Sequence, residues 1–384
     1  MTRVPSAARK RIDGAALLAD VVAWLGRFVA YPSEEAKHAH AAWILHTHLL
    51  SCFENSPRIA FLSAEPGSGK SRALEVTEPL VVDPVLTVNV SVSYLFRRIA
   101  VEEGSPHPVV LFDEVDAVFS KRASESTEEI RGLLNSGYRR GATAGRAVVR
   151  GKEITTEEWP SFCPVALAGL DDLPDTLMTR SVVVRMRRRA PTEKIEPYRP
   201  RTTRVEASAL LARIVAWADE VRPSVEGVWP ELPPGIVDRT ADVWEPLLAV
   251  ADAAGGDWPT LLREAAVFMV DEQGKRPPTV GIRLLADIRT VLTPEGTLPT
   301  HDLLGMLHAI ETAPWGTWLG GKPIDSRWLA RHLHKYDIPT NNTVRRGQQV
   351  AKGYSVHHFA DAWARYLPPT DSEAHPQPTL EVEF

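Results

Sequence analysis

Short apolar runs and amphipathic stretches alternate along the chain and divide it into segments. Apolar residues recur at helical spacing over 15–29 and again over 36–52, which predicts an N-terminal helical segment, residues 1–55. Five short apolar runs then alternate with helical stretches, at 59–63, 85–90, 109–112, 165–168 and 182–186. Short β-branched runs separated by helices indicate a parallel sheet with crossover helices. We therefore expect an α/β core over residues 56–190, with a small hairpin inserted around Gly151.

The pattern changes after the last of these runs. Residues 191–297 begin with a basic, proline-containing stretch and continue with helical periodicity, which predicts a basic linker followed by a helical lid. Residues 298–367 contain two helices, a polar basic loop at 341–352 and a closing helix, the order typical of a winged helix. The last segment, 368–384, is acidic and rich in proline, and we expect it to be disordered.

A glycine-rich loop directly follows the first predicted strand and leads into a helix. Its residues are Ala64, Glu65, Pro66, Gly67, Ser68, Gly69, Lys70 and Ser71, with Arg72 next in the helix. This is the Walker A pattern with alanine at the first glycine position, and it predicts that these nine residues bind ATP. Glycine permits backbone angles that turn successive N–H groups toward an anion. Lys70 would reach the β- and γ-phosphates and Ser71 would coordinate Mg²⁺. The alternative is a chance glycine-rich turn.

The third predicted strand ends on an acidic pair, Asp113 and Glu114. Beside a phosphate loop, Asp113 is expected to hold Mg²⁺ and Glu114 to polarise the attacking water as the catalytic base. The alternative is two surface acids at the end of a strand. We expect Asp116, two residues on, to cap the following helix. The fourth strand ends at Gly169 without an Asn or Thr, so the residue that senses the attacking water is not assigned.

Three arginine positions are candidates for contacts with nucleotide or with a neighbouring subunit. Arg180, just before the last strand, is predicted to act catalytically on the nucleotide of an adjacent subunit, or else to cap the preceding helix. Arg239 is predicted to read nucleotide from the lid, or else to pair with Asp242 on its own helix. The adjacent Arg139 and Arg140 suit a subunit interface or DNA equally well.

Several of these segments together resemble the DUF3631 family. They are AEPGSGKS, VVLFDEVD, LNSGYRRGA, PVALAGLDDLPDTLMTRSVVVRMRRRAPTEK and DRTADVWEPLLAVADAAGGDWP, and the resemblance extends from about residue 18 to residue 366. The resemblance implies an AAA+-like P-loop ATPase of phages, plasmids and actinobacteria, often attached to primase or helicase modules. It also implies a role in DNA replication or mobile-element maintenance. A homo-oligomer is expected separately, because Arg180 is predicted to act on the nucleotide of an adjacent subunit.

The C-terminal unit carries a local excess of basic residues, although the whole chain has a net charge of −5. DNA contact is predicted for a helix and the loop that follows it, through Arg327, Arg331, Lys335, Arg345, Arg346 and Lys352. The alternative is a solvated basic face. The acidic tail ends in Phe384 and is a candidate docking peptide for a replication partner, although an unselected terminus is the simpler interpretation.

Composition excludes several classes of protein. Only two cysteines occur, which excludes a disulfide framework and indicates a reducing compartment. No apolar stretch is long enough for a signal peptide or a membrane span, so a cytoplasmic protein without a membrane partner is expected. We expect His46 and His48 to pack in the core rather than to bind a ligand.

The leading hypothesis is a DNA-handling ATPase, such as a helicase, helicase loader or remodeller, and the alternative is a nucleotide-dependent regulatory or defence switch.

Overall fold

The chain folds into two units, which are described separately. The computed structural model describes residues 11–88, 90–101, 105–119, 125–150, 153–275, 279–292, 297–339, 343–346 and 349–367. The first unit is Met1–Lys275 and the second is Arg276–Phe384. The predicted C-terminal unit began at residue 298, whereas the second unit begins earlier in the chain. The helix Val280–Val291 belongs to it because its buried side chains pack into the C-terminal core. The tail predicted at 368–384 lies outside the described residues.

The first unit contains both helices and strands. Its helices are α1 (Gly14–Phe28), α2 (Glu34–His48), α3 (Lys70–Thr77), α4 (Val92–Ile99), α5 (Glu125–Ser136), α6 (Asp175–Met178), α7 (Pro200–Val225), α8 (Asp238–Ala254) and α9 (Trp258–Gly274). Its strands are β1 (Arg58–Ser63), β2 (Pro84–Thr87), β3 (Val109–Phe112), β4 (Thr143–Arg150), β5 (Glu153–Pro160), β6 (Val165–Leu170) and β7 (Ser181–Arg185).

Five strands form one parallel sheet in the order β2-β3-β6-β1-β7. The predicted α/β fold with a parallel sheet flanked by helices is therefore confirmed, and each of the five apolar runs corresponds to one strand. The inserted hairpin is longer than the segment 147–154 expected around Gly151, because β4 and β5 pair antiparallel from Thr143↔Pro160 to Arg150↔Glu153. Between β7 and α7, residues 186–199 form neither helix nor strand and contain a turn at 191–192, and the predicted basic linker lies mainly in this segment.

The sheet has a hydrophobic core on each face, because successive side chains of a strand point to opposite sides. Ile59 and Phe61 of β1 face one core, and Ala60 and Leu62 face the other. The first core contains the buried faces of α1, α2, α3, α7, α8 and α9. The N-terminal helices and the helices predicted as a lid thus share one core against the sheet, whereas the sequence suggested two separate segments.

The second unit alternates helices with short strands. Its elements are α10 (Val280–Val291), β8 (Thr297–Pro299), α11 (Thr300–His308), α12 (Ser326–His334), β9 (Thr343–Arg346), β10 (Gln349–Ser355) and α13 (Ala360–Tyr366). The strands form an antiparallel sheet in the order β8-β10-β9 around a core that includes Leu284, Trp315 and Leu329. Much of the loop expected at 341–352 is therefore a hairpin. None of the described helices is both long and apolar enough to cross a membrane.

Candidate nucleotide site and a second arginine pocket

The loop after β1 has the backbone that an anion-binding loop requires. Gly67 and Gly69 have φ of +75° and +87°, in the left-handed region that glycine adopts without strain. A Cβ at Gly67 would meet nothing within 4 Å, so the backbone angle rather than space calls for glycine there. Gly69 is the N-cap of α3, and the unpaired N–H groups of the first helical turn therefore border the loop.

The Lys70 ammonium is held over this loop by neutral oxygen atoms. Its Nζ donates to Ser63 Oγ at 2.6 Å, to Glu65 O at 3.3 Å and to Ser68 Oγ at 3.3 Å. Ser68 Oγ donates to Ser63 Oγ, which in turn donates to Glu65 O. Burial lowers the pKa of Lys70, and the charges of Asp116 and Asp113 act in the opposite direction. Among the described residues no carboxylate forms an ion pair with Lys70, so its charge is available to an anionic ligand.

The acidic pair lies at the end of β3 in an uncommon conformation. Asp113 N donates to Thr87 O at 2.8 Å, and the Asp113 carboxylate accepts from Glu114 N at 2.9 Å. Glu114 has φ +54° and ψ +40°, left-handed angles that a residue with a Cβ adopts only at a cost. Such strain concentrates at functional sites, where the surrounding structure imposes it. Among the described residues other than glycine, four aspartates also have positive φ, and Glu114 is the one such residue that belongs to the acidic pair.

Asp116 has a different role from the helix cap expected of it. Its Oδ1 accepts from Leu170 N at 2.9 Å, which ties the segment after β3 to the end of β6. The approach is so close that a Cβ on Gly169 would lie 2.9 Å from Val115 Cγ1 and 3.0 Å from Asp116 Oδ1. This contact explains why glycine stands at position 169, the penultimate residue of β6, where the sequence lacks a polar sensing side chain.

The sheet topology brings the loop and the acids to one edge. The strands β1, β6 and β3 are adjacent and parallel, so their carboxyl ends lie on the same side. Two strand spacings, about 10 Å, separate the end of β1 from the end of β3. Lys70 would face an anion held in this interval, and Ser71 and Asp113 offer the oxygen atoms that a magnesium ion there would prefer.

Two arginines near the loop differ from the sequence expectation. Arg72 was expected to contact the cofactor, but its Nε donates to Glu75 at 2.6 Å and its guanidinium lies over the Tyr198 ring. Arg188 belongs to none of the predicted site motifs, yet it donates from Nε to Pro66 O at 3.0 Å. The run of arginines directly after β7 was the available signal for this contact.

The remaining candidate arginines converge on a separate pocket. Arg139, Arg180 and Arg239 line a cavity of about 480 Å³ together with Glu54, Asn55, Asn135, Ser136, Tyr138 and Asp242. Arg180 O accepts from the N–H of Arg58, the first residue of β1, so the pocket borders the amino edge of the sheet. The six residues of β1 separate this edge from the phosphate loop by roughly 20 Å.

The pocket changes the interpretation of Arg239 and refines that of the other arginines. Arg239 is too far from the loop of its own chain to read a nucleotide bound there, because it lies at the opposite edge of the sheet. Arg180 donates to Thr176 O at 2.6 Å, the helix-capping contact that was its alternative role, and also lines the pocket. Arg140 instead donates to the backbone oxygens of Phe53 and Ser51, so it fastens the segment before β1.

Comparison with known proteins identifies the family. A protein of Saccharopolyspora erythraea described as an uncharacterized 28.9 kDa protein in a xis 5′ region is 42% identical over 184 residues. The matched part is 48% of this chain and 69% of the relative. The sequence profile of DUF3631, a family described as proteins of unknown function, matches residues 185–366.

The chain belongs to the DUF3631 family. The matched region begins at the last residue of β7 and ends within α13, so it contains the Arg239 helix and most of the second unit. The phosphate loop and the acidic pair lie before it. The resemblance expected from about residue 18 onward is thus supported by the profile for its second half.

Proposed function

We propose that this protein is an AAA+-like P-loop ATPase that hydrolyses Mg²⁺-ATP at the carboxyl edge of its sheet. One observation carries the proposal. Glu114, in a left-handed conformation, follows β3, and β3 lies two strands from β1, which leads into the glycine loop and Lys70. Lys70 neutralises the β- and γ-phosphates, Ser71 and Asp113 hold Mg²⁺, and Glu114 orients and deprotonates the attacking water. When bound, Mg²⁺ supplies charge neutralisation between the phosphates.

We further propose that hydrolysis is coupled to DNA through the second unit. Its elements follow the order of a winged helix, which is helix, strand, two helices and hairpin. The strand β10 takes the middle position of the sheet. Arg327, Arg331 and Lys335 are exposed along α12, and Lys352 is exposed on β10, where each can contact a phosphate. The side chains of Arg345 and Arg346 lie outside the described residues, although their backbones pair within the hairpin.

The biological setting is proposed from the family and its relative. The description of the Saccharopolyspora protein refers to a xis 5′ region, which agrees with the mobile-element role implied by the family resemblance. A helicase, helicase loader or remodeller in phage or mobile-element replication is the form of activity we propose. The protein is proposed to act in the cytoplasm, and its acidic C-terminal tail remains a candidate docking peptide for a replication partner.

A steady-state ATPase assay tests this function. The wild-type chain is measured with Mg²⁺ alone, with single-stranded DNA and with duplex DNA, and Lys70→Ala serves as the blank. We expect turnover that depends on Mg²⁺ and rises with DNA. Tight ATP binding with turnover close to that of Lys70→Ala would instead support the alternative function, a nucleotide-dependent regulatory or defence switch.

The arginine pocket suggests an assembly in which subunits complete each other's sites. Because Arg180 lies at the edge opposite its own phosphate loop, it can approach only a nucleotide held by a neighbour. We expect Arg180→Ala to bind ATP normally and to lose about 100-fold in turnover, since one cation at the transferring phosphoryl group is removed. Arg213→Ala, which removes an exposed arginine paired with Asp20, should behave as wild type.

Mixing two inactive variants tests the action between subunits. Lys70→Ala subunits keep Arg180, so an excess of them should restore turnover to the intact nucleotide sites of Arg180→Ala subunits. Turnover is measured across a series of mixing ratios at constant total protein. If no mixture exceeds the activity of the separate variants, Arg180 does not act across a subunit boundary.

A further inference from the structure

A tight turn before α12 presents two apolar side chains to solvent. Leu319 N donates to Lys322 O at 2.9 Å and Lys322 N donates to Leu319 O at 3.3 Å, which closes a two-residue turn. Its central residues, Gly320 and Gly321, have φ of +62° and +88°, as a type I′ turn requires. Gly321 N also donates to Thr317 O. The backbone that carries Trp318 and Leu319 is therefore fixed by its own hydrogen bonds.

The Trp318 ring is anchored along its edges and still accessible. It lies 5.9 Å from the ring of Trp315 and 6.1 Å from that of Trp328, at interplanar angles of 47° and 63°. At such angles neither neighbour covers the indole by parallel stacking. Trp315 is fully buried, whereas Trp318 remains 39% exposed. A large aromatic ring held this way loses little conformational freedom when a flat ligand stacks on it.

This ring flanks the basic face of α12. Positions three and four apart share one side of a helix, so Arg327, Arg331 and Lys335 form a single exposed row. Trp328 is one position after Arg327 and three before Arg331, and its ring touches Trp318. Among the described residues none of these three basic side chains forms an ion pair. The surface thus joins uncompensated positive charge to an exposed aromatic ring.

We propose that Trp318 is a stacking site for an unpaired nucleobase, placed beside phosphate contacts from α12. This inference rests on the proposed DNA function and adds a substrate class to it, a junction between duplex and single strand. Base stacking on an aromatic ring requires an unstacked base, which an intact duplex does not offer. The basic row holds the backbone of either DNA form, and Trp318 adds affinity only where a base is free.

Binding of full-length variants to two labelled oligonucleotides tests the proposal. One is a blunt duplex, the other the same duplex with a single-stranded extension, and affinity is measured by fluorescence anisotropy. We expect Trp318→Ala to weaken binding to the extended DNA by about 5- to 100-fold and to leave the duplex within about twofold. Trp318→Phe should retain most of the affinity because it keeps an aromatic face.

Two control variants separate stacking from other contacts. Leu319→Ala removes a neighbouring apolar side chain of similar exposure, 40%, and should leave both affinities unchanged because leucine has no aromatic face. Arg331→Ala should weaken both DNAs alike and reduce the salt dependence by about one phosphate contact. Equal losses on both DNAs with Trp318→Ala, or none on the extended DNA, would overturn the stacking site alone. Failure of the wild-type chain to bind either DNA would overturn the proposed DNA function as well.

Discussion

Replacing Glu114 by glutamine is expected to lower ATP turnover by about 1,000-fold while ATP affinity stays close to that of the wild type. Glutamine keeps the size and hydrogen-bonding capacity of the side chain but cannot accept the proton of the attacking water. In the proposed site Asp113 and Ser71 would still hold Mg²⁺ and Lys70 would still meet the phosphates, so we expect binding to be retained. Single-turnover hydrolysis and equilibrium binding of ATP, measured on the same preparation, separate these two effects.

Two other variants define what the Glu114 result means. Lys70→Ala should lose affinity as well as turnover, because it removes the positive charge held over the loop. Glu128→Gln neutralises an exposed acid of α5 that pairs with Arg131, and it should retain the turnover of the wild type. If Glu114→Gln hydrolyses ATP as fast as the wild type, the strained backbone at this position serves another purpose and the base lies elsewhere.

Motifs and strands were predictable because their signals are local in sequence. Each of the five apolar runs became one strand, and the glycines of the loop adopt the angles that the motif implies. The loop requires only backbone angles and a lysine within a few residues, and a nearby strand and helix position both. Glu114 was likewise indicated by its neighbours in the chain, although its left-handed conformation was visible only in the structure.

Contacts between distant segments were not predictable. Arg58 begins β1 and is 1% exposed, with its guanidinium donating to Cys163 O and Leu134 O, residues from other parts of the chain. Burial lowers its pKa to about 10. Nothing in the alternation of polar and apolar residues marks such a buried cation. The same reasoning applies to Arg239 of α8, which lines the pocket at the edge of the sheet opposite the glycine loop.

The buried histidines of α2 lead to a second large expected effect, a steep loss of stability in mild acid. Burial lowers the pKa of His40 and of His46 to about 3 and that of His48 to about 4. For His46 the charges of Arg58 and His48 also lower the pKa, whereas the nearby Trp43 backbone raises it without meeting the geometry of a hydrogen bond. All three side chains are therefore neutral in the folded protein throughout the physiological range.

The direction of the pH effect follows from where the protons bind. In the unfolded chain a histidine has a pKa of about 6.5, so between that value and the folded pKa the unfolded state binds more protons. Above about pH 6.5 these histidines hardly lower the free energy of unfolding, because they are mostly neutral in both states. As the pH falls from there toward 4, the unfolded chain takes up protons and the free energy of unfolding declines. Each histidine contributes about 1.4 kcal/mol to the loss between pH 7.5 and pH 5.5, or roughly 4 kcal/mol together.

This loss is a large share of the roughly 5–15 kcal/mol that stabilises an ordinary domain. It also bears on the proposed nucleotide site, because His40 joins α2 to α3, the helix that follows the glycine loop. Thr77 of α3 donates its hydroxyl to Ala73 O and so accepts from His40 Nε2, while Tyr31 donates to His40 Nδ1. A proton on Nδ1 would remove the acceptor for Tyr31. His40 therefore takes up its proton in mild acid only when the unit unfolds, which separates α2 from α3.

His46 offers the sharpest test, because neither of its ring nitrogens has a hydrogen-bond partner within the part of the chain that the structure describes. His46→Leu replaces this buried polar ring with an apolar side chain of similar size, so we expect unchanged or higher stability near pH 7.5. At about pH 5.5 the variant should retain about 1.4 kcal/mol of what the wild type loses. Urea unfolding followed by circular dichroism at several pH values measures both quantities.

His301→Gln is the control, because its side chain is 97% exposed, and it should follow the wild-type profile. A profile that is flat between these pH values would show that the buried histidines of α2 take up no protons on unfolding.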